Sequence, residues 1–228
     1  MTSPGNATRF RLGAGRPCLD FIRTLRYRGR PGQVEELPDG PALLAWIAQA
    51  SPLSPGTPPS AAEVAEVAEA RQLREAIVQL LDAARSPAGT AACPPAARSR
   101  LNQAALAPPP VPSLDARGHL RHHAEAPIQA TLSWLARDAL ELASSPALSQ
   151  LKNCANPGCR TLFLDSSRPG TRRWCSMGTC GNQAKKHTYT AKRQQPVDQA
   201  QMPESHRRRA VHAETGRLQD GPAARQSR

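Results

Sequence analysis

The chain of 228 residues carries a formal charge of +12 at pH 7, and its hydrophobic fraction of 39% includes only 4% aromatic residues. This length suits one moderate domain with a small appendage, and an aliphatic core with few aromatics favours helices over a β-sandwich. No run approaches the roughly 20 apolar residues of a membrane span, and residues 1–15 lack the apolar segment of a signal peptide. We therefore expect a cytoplasmic protein with reduced thiols and no membrane partner.

The positive charge is concentrated in the last third of the chain. Residues 1–150 carry 15 Lys/Arg against 13 Asp/Glu, a net charge of +2, whereas residues 151–228 carry 15 against 5, a net charge of +10. This asymmetry favours a polyanionic partner, most simply nucleic acid. The alternative is a basic tail that only increases solubility.

The N-terminal residues predict disorder and then two short helices. Residues 1–10 have no apolar periodicity and are predicted to be disordered. Pro17 suits the first position of a helix, and the apolar residues after it predict one, with a second from Pro41 to Ala50. Cys18 is expected to be a small core residue. Four arginines that follow are expected to form a solvated face: Arg23, Arg26, Arg28 and Arg30.

The longest helix is predicted over residues 61–85, where apolar residues recur at steps of three and four. Ser60 is its predicted N-cap, with Glu63 completing a capping box. A further helix is predicted over residues 95–106, and Cys93 just before it is expected to be exposed or half-buried. A helix over residues 127–144 should form the core pair with the longest helix. We expect a mainly α domain over residues 11–150.

A small β-hairpin is possible between these helices, over residues 111–114 and 119–124. Three histidines lie in its second half: His119, His122 and His123. Neighbouring residues of a strand point to opposite faces, so these histidines are poor candidates for shared metal ligands. Residues 1–150 also show no nucleophile–base pair, phosphate loop or paired carboxylates, so we do not expect an enzyme.

Four cysteines form the strongest chemical pattern in the chain. The pairs Cys154/Cys159 and Cys175/Cys180 each enclose four residues, and fifteen residues separate the pairs. Two thiolate pairs on either side of a turn-rich insert suit one tetrahedral Zn²⁺, and four cysteines leave no open position for catalysis. Disulfides would need an oxidising compartment, and an iron–sulfur cluster fits the paired spacing less well. We predict one structural zinc ion.

The residues around the cysteines predict a small treble-clef-like finger over residues 151–193. Residues 160–165 suggest a strand, residues 168–170 a turn, and a helix is predicted from Gly181 to about Lys192. Little linker precedes the finger, so it should dock on the helical domain. Residues 194–228 lack apolar periodicity and are predicted to be a disordered basic tail.

This segment resembles the CGNR zinc finger family, named after the motif that begins at its last cysteine. Here the motif reads Cys180-Gly181-Asn182-Gln183, with Gln183 in place of the family's arginine. Weaker similarity extends upstream, where residues 15–21, Trp46, residues 73–76 and residues 101–102 fit the domain that precedes such fingers. The resemblance implies a stress-induced transcription regulator that binds duplex DNA.

The candidate nucleic-acid contacts are polar residues of the finger and its helix: Arg168, Arg172, Arg173, Asn182, Lys185, Lys186, Lys192 and Arg193. Asn182 could read a base edge or brace the second cysteine pair. Two other partners stay open for the finger, which are a protein surface and RNA. The helical domain is expected to bind a small-molecule effector or to form a homodimer.

Overall fold

The structure is a computed structural model that describes residues 10–54 and 62–186. The predictions for residues 1–9 and 194–228, and the contacts assigned to Lys192 and Arg193, lie outside the described residues. The chain divides into two compact units, Met1–Ala184 and Lys185–Arg228. In the second unit Lys185 and Lys186 are described, and both are helical and exposed.

The first unit is mainly α-helical with three two-stranded antiparallel sheets, as expected. The helices are α1 (Pro17–Ile22), α2 (Gly40–Ala50), α3 (Val64–Ala84), α4 (Pro95–Leu106) and α5 (Pro127–Ser144). The strands are β1 (Leu25–Arg26), β2 (Val34–Glu35), β3 (Val111–Leu114), β4 (Leu120–His123), β5 (Leu151–Asn153) and β6 (Leu162–Leu164). Short 3₁₀ helices occupy Gly89–Ala92 and Pro146–Gln150.

Local sequence explains where most helices begin. Proline occupies one of the first two positions of α1, α2, α4 and α5, where its missing N–H costs no hydrogen bond. The predicted cap of α3 is wrong by three residues. Glu63 is the N-cap, and Glu66 completes the capping box by accepting from the Glu63 N–H at 2.9 Å. Both carboxylates satisfy first-turn N–H groups that would otherwise lack partners.

The core of the helical domain is a packed group of α3, α4 and α5, with α1 and α2 against it. The predicted pairing of α3 with α5 is confirmed, and α4 joins them through the fully buried Leu101. Phe21 and Trp46 meet edge to face, with ring centroids 5.0 Å apart. Cys18 is buried as predicted, but Cys93 is buried too, against expectation. The 3₁₀ turn before Cys93 packs on α3 and carries that side chain into the core.

The arginine run after α1 is not a solvated face. The guanidinium group of Arg23 is buried, Arg26 pairs with Glu36 at 3.1 Å, and Arg28 pairs with Glu75 of α3. The β1–β2 ladder, which was not predicted, brings Glu36 beside Arg26, whereas the partners of Arg23 and Arg28 come from α1 and α3. Glu35 on β2 also accepts two hydrogen bonds, at 2.7 and 2.5 Å, from the buried Arg74.

The predicted hairpin is formed by β3 and β4, in the register Val111↔His123 to Leu114↔Leu120. Its histidines do not gather into a metal site: within the described residues, the four cysteines alone form such a group. No helix among the described residues is both long enough and apolar enough to cross a bilayer.

The cysteine-rich segment docks on the helical domain, as predicted. Its strands β5 and β6 pair with each other, and the Leu164 N–H donates to the Ala14 carbonyl at 2.7 Å. Arg85 at the end of α3 donates to the Asn153 side chain at 2.7 Å. These bonds make the finger and the helices parts of one compact unit.

Candidate metal centre

The first cysteine pair is shaped by a hydrogen-bonded reversal of the chain. The Asn156 side chain accepts from the Gly158 N–H at 2.9 Å, and the Asn156 carbonyl accepts from the Cys159 N–H at 2.9 Å. The Cys154 N–H donates to the Thr161 carbonyl at 2.9 Å. The turn therefore holds both sulfur atoms of the pair on one side of the chain.

The second pair is shaped by a single π-helical turn, Met177–Gly181. The Gly181 N–H donates to the Ser176 carbonyl at 3.0 Å. A Cβ at Gly181 would lie 3.0 Å from the Met177 sulfur, so a larger residue would crowd the turn. From this turn the chain continues as a helix through residue 186, within the helix predicted from Gly181.

The two pairs bring four sulfur atoms to one point. All four lie within 4.8 Å of one another, and Cys159–Cys175 and Cys175–Cys180 are each separated by 3.7 Å. A tetrahedral ion with metal–sulfur bonds of 2.3 Å requires sulfur–sulfur distances of about 3.8 Å. Cys154, Cys175 and Cys180 are buried, and Cys159 is partly exposed. The donor set, spacing and burial fit one structural zinc ion.

The thiols differ strongly in acidity before a metal binds. Hydrogen bonding with the Cys175 thiol lowers the pKa of Cys159 to about 5. The same hydrogen bond, together with burial, raises the pKa of Cys175, and burial beside the Cys159 thiolate raises that of Cys180 to about 11. Metal uptake must therefore displace protons from the buried sulfurs, which favours loading at higher pH.

The surrounding residues provide polar contacts to the sulfurs and to the chain that carries them. The Cys175 N–H donates to the Cys154 sulfur at 3.5 Å, and the Arg23 guanidinium lies 4.0 Å from the Cys175 sulfur. Arg172 donates to the carbonyls of Trp174 and Cys175 and lies over the Phe163 ring at 4.9 Å. Such contacts orient metal ligands and offset the formal charge of −2 on a zinc–tetrathiolate centre.

Asp165 joins the strand β6 to the insert between the cysteine pairs. Its carboxylate pairs with Lys152 at 2.7 Å and accepts from the Ser167 hydroxyl at 2.5 Å and the Arg172 N–H at 2.9 Å. Hydrogen bonds from Lys152 and Ser167 hold the pKa of Asp165 well below its usual range. The carboxylate is therefore ionised at neutral pH and holds Lys152, Ser167 and Arg172 together.

Asn182 and Gln183 both brace the finger. The Asn182 amide donates to the Gly178 carbonyl at 3.1 Å. Gln183, where the family motif has arginine, accepts from the Asn156 side chain at 2.8 Å and so connects the second cysteine pair to the first. An arginine has no acceptor, so it could not take this hydrogen bond from an amide N–H.

The other candidate nucleic-acid residues fall into two groups. Arg168 and Arg173 are exposed, and Arg173 lies over the Trp174 ring at 5.1 Å. The Arg172 side chain instead donates hydrogen bonds to backbone carbonyls of the finger. Sequence reasoning missed Arg23 as a neighbour of the sulfurs because 152 residues separate it from Cys175.

Comparisons with protein families first define the class of the finger. Residues 150–193 match the model described as a CGNR zinc finger, so the four cysteines form a zinc-binding finger with one structural ion. Residues 15–146 match the ABATE model, described as a putative stress-induced transcription regulator. Because this match covers more than half of the chain, the protein belongs to that family. No match was found among curated proteins.

Proposed function

We propose that the protein regulates transcription by binding duplex DNA through its zinc finger, in the cytoplasm. The observation that carries this proposal is the excess of positive over negative charge in the finger. Residues 151–186 contain seven Lys/Arg and one acid, Asp165. That acid is only 3% exposed and balances the charge of Lys152, which leaves six cations against the formal −2 of the zinc centre and a net positive charge on the segment.

Some of the candidate DNA-contact residues are exposed, and others are already hydrogen-bonded within the finger. Arg168 and Arg173 face solvent, whereas Arg172 and Asn182 are engaged by the backbone around the cysteines. Phosphate contacts fix register and supply salt-dependent affinity, whereas base contacts supply specificity. We therefore propose binding led by phosphate contacts, with Arg168 and Arg173 as its principal residues in the first unit.

The test is a salt titration of duplex DNA binding by fluorescence anisotropy, using the zinc-loaded full-length protein. Contact with six phosphates gives a slope of log K against log salt of about −5. The double variant Arg168→Gln/Arg173→Gln should make the slope shallower by about 2, because two phosphate contacts are lost. Arg98→Gln/Arg100→Gln removes the same charge from the exposed face of α4 and should leave the slope unchanged.

Two results would contradict DNA binding by the finger. One is a slope near zero or no binding at low salt, and the other is an equal loss of affinity in both double variants. RNA is less favoured because, within the described part of the finger, Phe163 is fully buried and Arg173 lies over the Trp174 ring, which leaves few platforms for base stacking. A protein partner instead of DNA would bind equally well after nuclease treatment.

A further inference from the structure

A basic cavity of about 330 Å³ lies where the segment after α1 meets the first cysteine pair of the finger. Its walls come from α1, β1, the turn after β1, α3 and the start of β6. Six arginines line it: Arg11, Arg23, Arg26, Arg28, Arg30 and Arg160. Five come from the N-terminal segment, and Arg160 comes from the finger. The volume is within the range of small-molecule sites.

The carboxylates around the cavity do not balance its charge. Asp82 is the only acid among the described residues that line the cavity, and three more carboxylates pair with lining arginines from outside it: Asp20, Glu36 and Glu75. Six guanidinium groups against these four carboxylates leave a formal excess of two positive charges among the side chains, and the zinc centre, whose ligand Cys159 also lines the cavity, adds a formal −2 when it is loaded. Arg11, Arg30 and Arg160 have no ion-pair partner among the residues that the structure describes, and of these three only Arg30 donates a side-chain hydrogen bond, to the Pro157 carbonyl.

Two further observations concern residues that line this cavity. Arg26 Nε and Arg28 Nη2 are buried and have no hydrogen-bond partner in the described part of the chain, although buried donors are almost always paired. Tyr27 and Arg160, with φ of 54° and 49°, are the two non-glycine residues with positive φ in the described ranges, and both line the cavity. Such backbone conformations in non-glycine residues cluster at functional sites.

Beside the arginines and the polar residues Tyr27, Asn153, Cys159 and Thr161, the cavity has apolar lining residues from both parts of the protein. Ile22, Leu25 and Val78 belong to the helical domain, and Leu162 belongs to the finger. An inorganic ion would use the arginines alone, whereas a molecule with an anionic head and a small apolar body would use both surfaces.

We propose that this cavity binds a small molecule that carries a phosphate or carboxylate group and a compact apolar body. Arg11 and Arg160 are the principal contacts to the anion, because within the described residues neither guanidinium has a carboxylate or carbonyl partner, whereas Arg30 donates to the Pro157 carbonyl. A ligand that bridges these two arginines binds the helical domain and the finger together. It therefore stabilises the docked arrangement by mass action. The site does not depend on DNA binding by the finger.

A different role for the arginines is to balance the charge of the zinc–thiolate centre. The structure assigns that role to one of them: Arg23 lies 4.0 Å from a cysteine sulfur, and no other lining arginine hydrogen-bonds to a sulfur in the described residues. Direct contact with the sulfurs therefore does not account for Arg11 and Arg160.

The experiment measures binding of phenyl phosphate and inorganic phosphate to the zinc-loaded full-length protein, by calorimetry and thermal shift, with chloride at matched ionic strength as the blank. We expect saturable binding, tighter for phenyl phosphate, and a rise in melting temperature. Arg11→Gln/Arg160→Gln should weaken binding about tenfold or more, because each change removes a charge-assisted contact. The matched variant Arg98→Gln/Arg100→Gln should change it less than about twofold.

Zinc content and helicity are measured in each variant. If the double variant loses metal, the single variant Arg11→Gln replaces it in the binding assay, because this change leaves the finger sequence intact. Phenyl phosphate binding that persists in Arg168→Gln/Arg173→Gln supports a site separate from the proposed DNA surface. Absence of saturable binding up to about 10 mM overturns the proposal. Undiminished binding by the Arg11 variants overturns it as well, as does displacement of all bound phenyl phosphate by short duplex DNA.

Discussion

Replacing Arg23 by methionine should weaken zinc binding and loosen the finger from the helical domain. The guanidinium donates to the Asp20 carboxylate at 3.3 Å and the Leu12 carbonyl at 3.4 Å, and it lies 4.0 Å from the Cys175 sulfur. The side chain is 5% exposed, so water cannot replace these contacts. Methionine fills a similar volume without the charge.

The expected loss of zinc affinity depends on the attraction between Arg23 and the metal centre and on the opposing cost of burying the guanidinium. A cation about 4 Å from one unit of negative charge contributes about 4 kcal/mol at an effective dielectric constant of 20, before the cost of burying the guanidinium. Changes to residues that support metal ligands typically reduce metal affinity about 10- to 100-fold. We therefore expect Arg23→Met to cost about 1.4–2.8 kcal/mol of zinc binding energy.

The assay is zinc transfer to a chromophoric chelator, followed together with urea unfolding. Arg23→Lys keeps the charge but not the fork of donors, and should fall between wild type and Arg23→Met. Arg100→Met, on the exposed face of α4, is the control and should match wild type. If Arg23→Met is folded and holds zinc as tightly as wild type, the contact with Cys175 has no energetic role and the reasoning is wrong.

Three further changes test the metal, the docking and the ion pairs. Cys175→Ser should lose the one zinc per chain and the fold of the finger, as read by mass spectrometry and circular dichroism, while the α-helical signal largely remains. Gly15→Ala should destabilise the protein by about 2–3 kcal/mol in urea unfolding, because φ is +100° and the new Cβ would lie 2.9 Å from a β6 side chain. Gly118→Ala, with φ +78° and open space around it, should cost about 1 kcal/mol, and an equal cost at both sites would contradict the close contact. Burial acts to raise the pKa of Glu35, but hydrogen bonds from Arg74 and a backbone N–H outweigh it and lower the pKa. The stability from Glu35 is therefore present above its unfolded pKa of about 4.3 and is lost as pH falls through the lower folded pKa. The melting-temperature gap between Glu35→Gln and wild type should close on acidification, and a gap independent of pH would count against this pair.

Features with short-range causes could be predicted from the sequence. The bounds of α2, α4 and α5 follow from proline at the helix starts and from apolar spacing, and the structure agrees within a residue; α1 begins at Pro17 as predicted. The zinc ligands were predicted because each pair lies within one turn of chain. Chemistry alone limits what four paired thiolates can bind.

Features that depend on distant partners could not be predicted. A run of arginines usually lies in water, but in this one Arg26 pairs with Glu36, which follows β2, and Arg28 pairs with Glu75 on α3. The first of these pairs depends on a ladder of two residues per strand that carries too little periodicity to be recognised. Cys93 is buried for a similar reason, since the loop before it packs on a helix.

The sequence by itself determined the helices, the four zinc ligands and the basic character of the finger, because these follow from spacing within a few residues. Only the tertiary structure decided which cations remain free. Packing turned Arg23 and Arg172 toward the cysteines and the backbone that carries them, and it left Arg168 and Arg173 in solvent. The physical reason is that a guanidinium group makes several directional hydrogen bonds, so its role depends on the acceptors that the folded chain brings within reach.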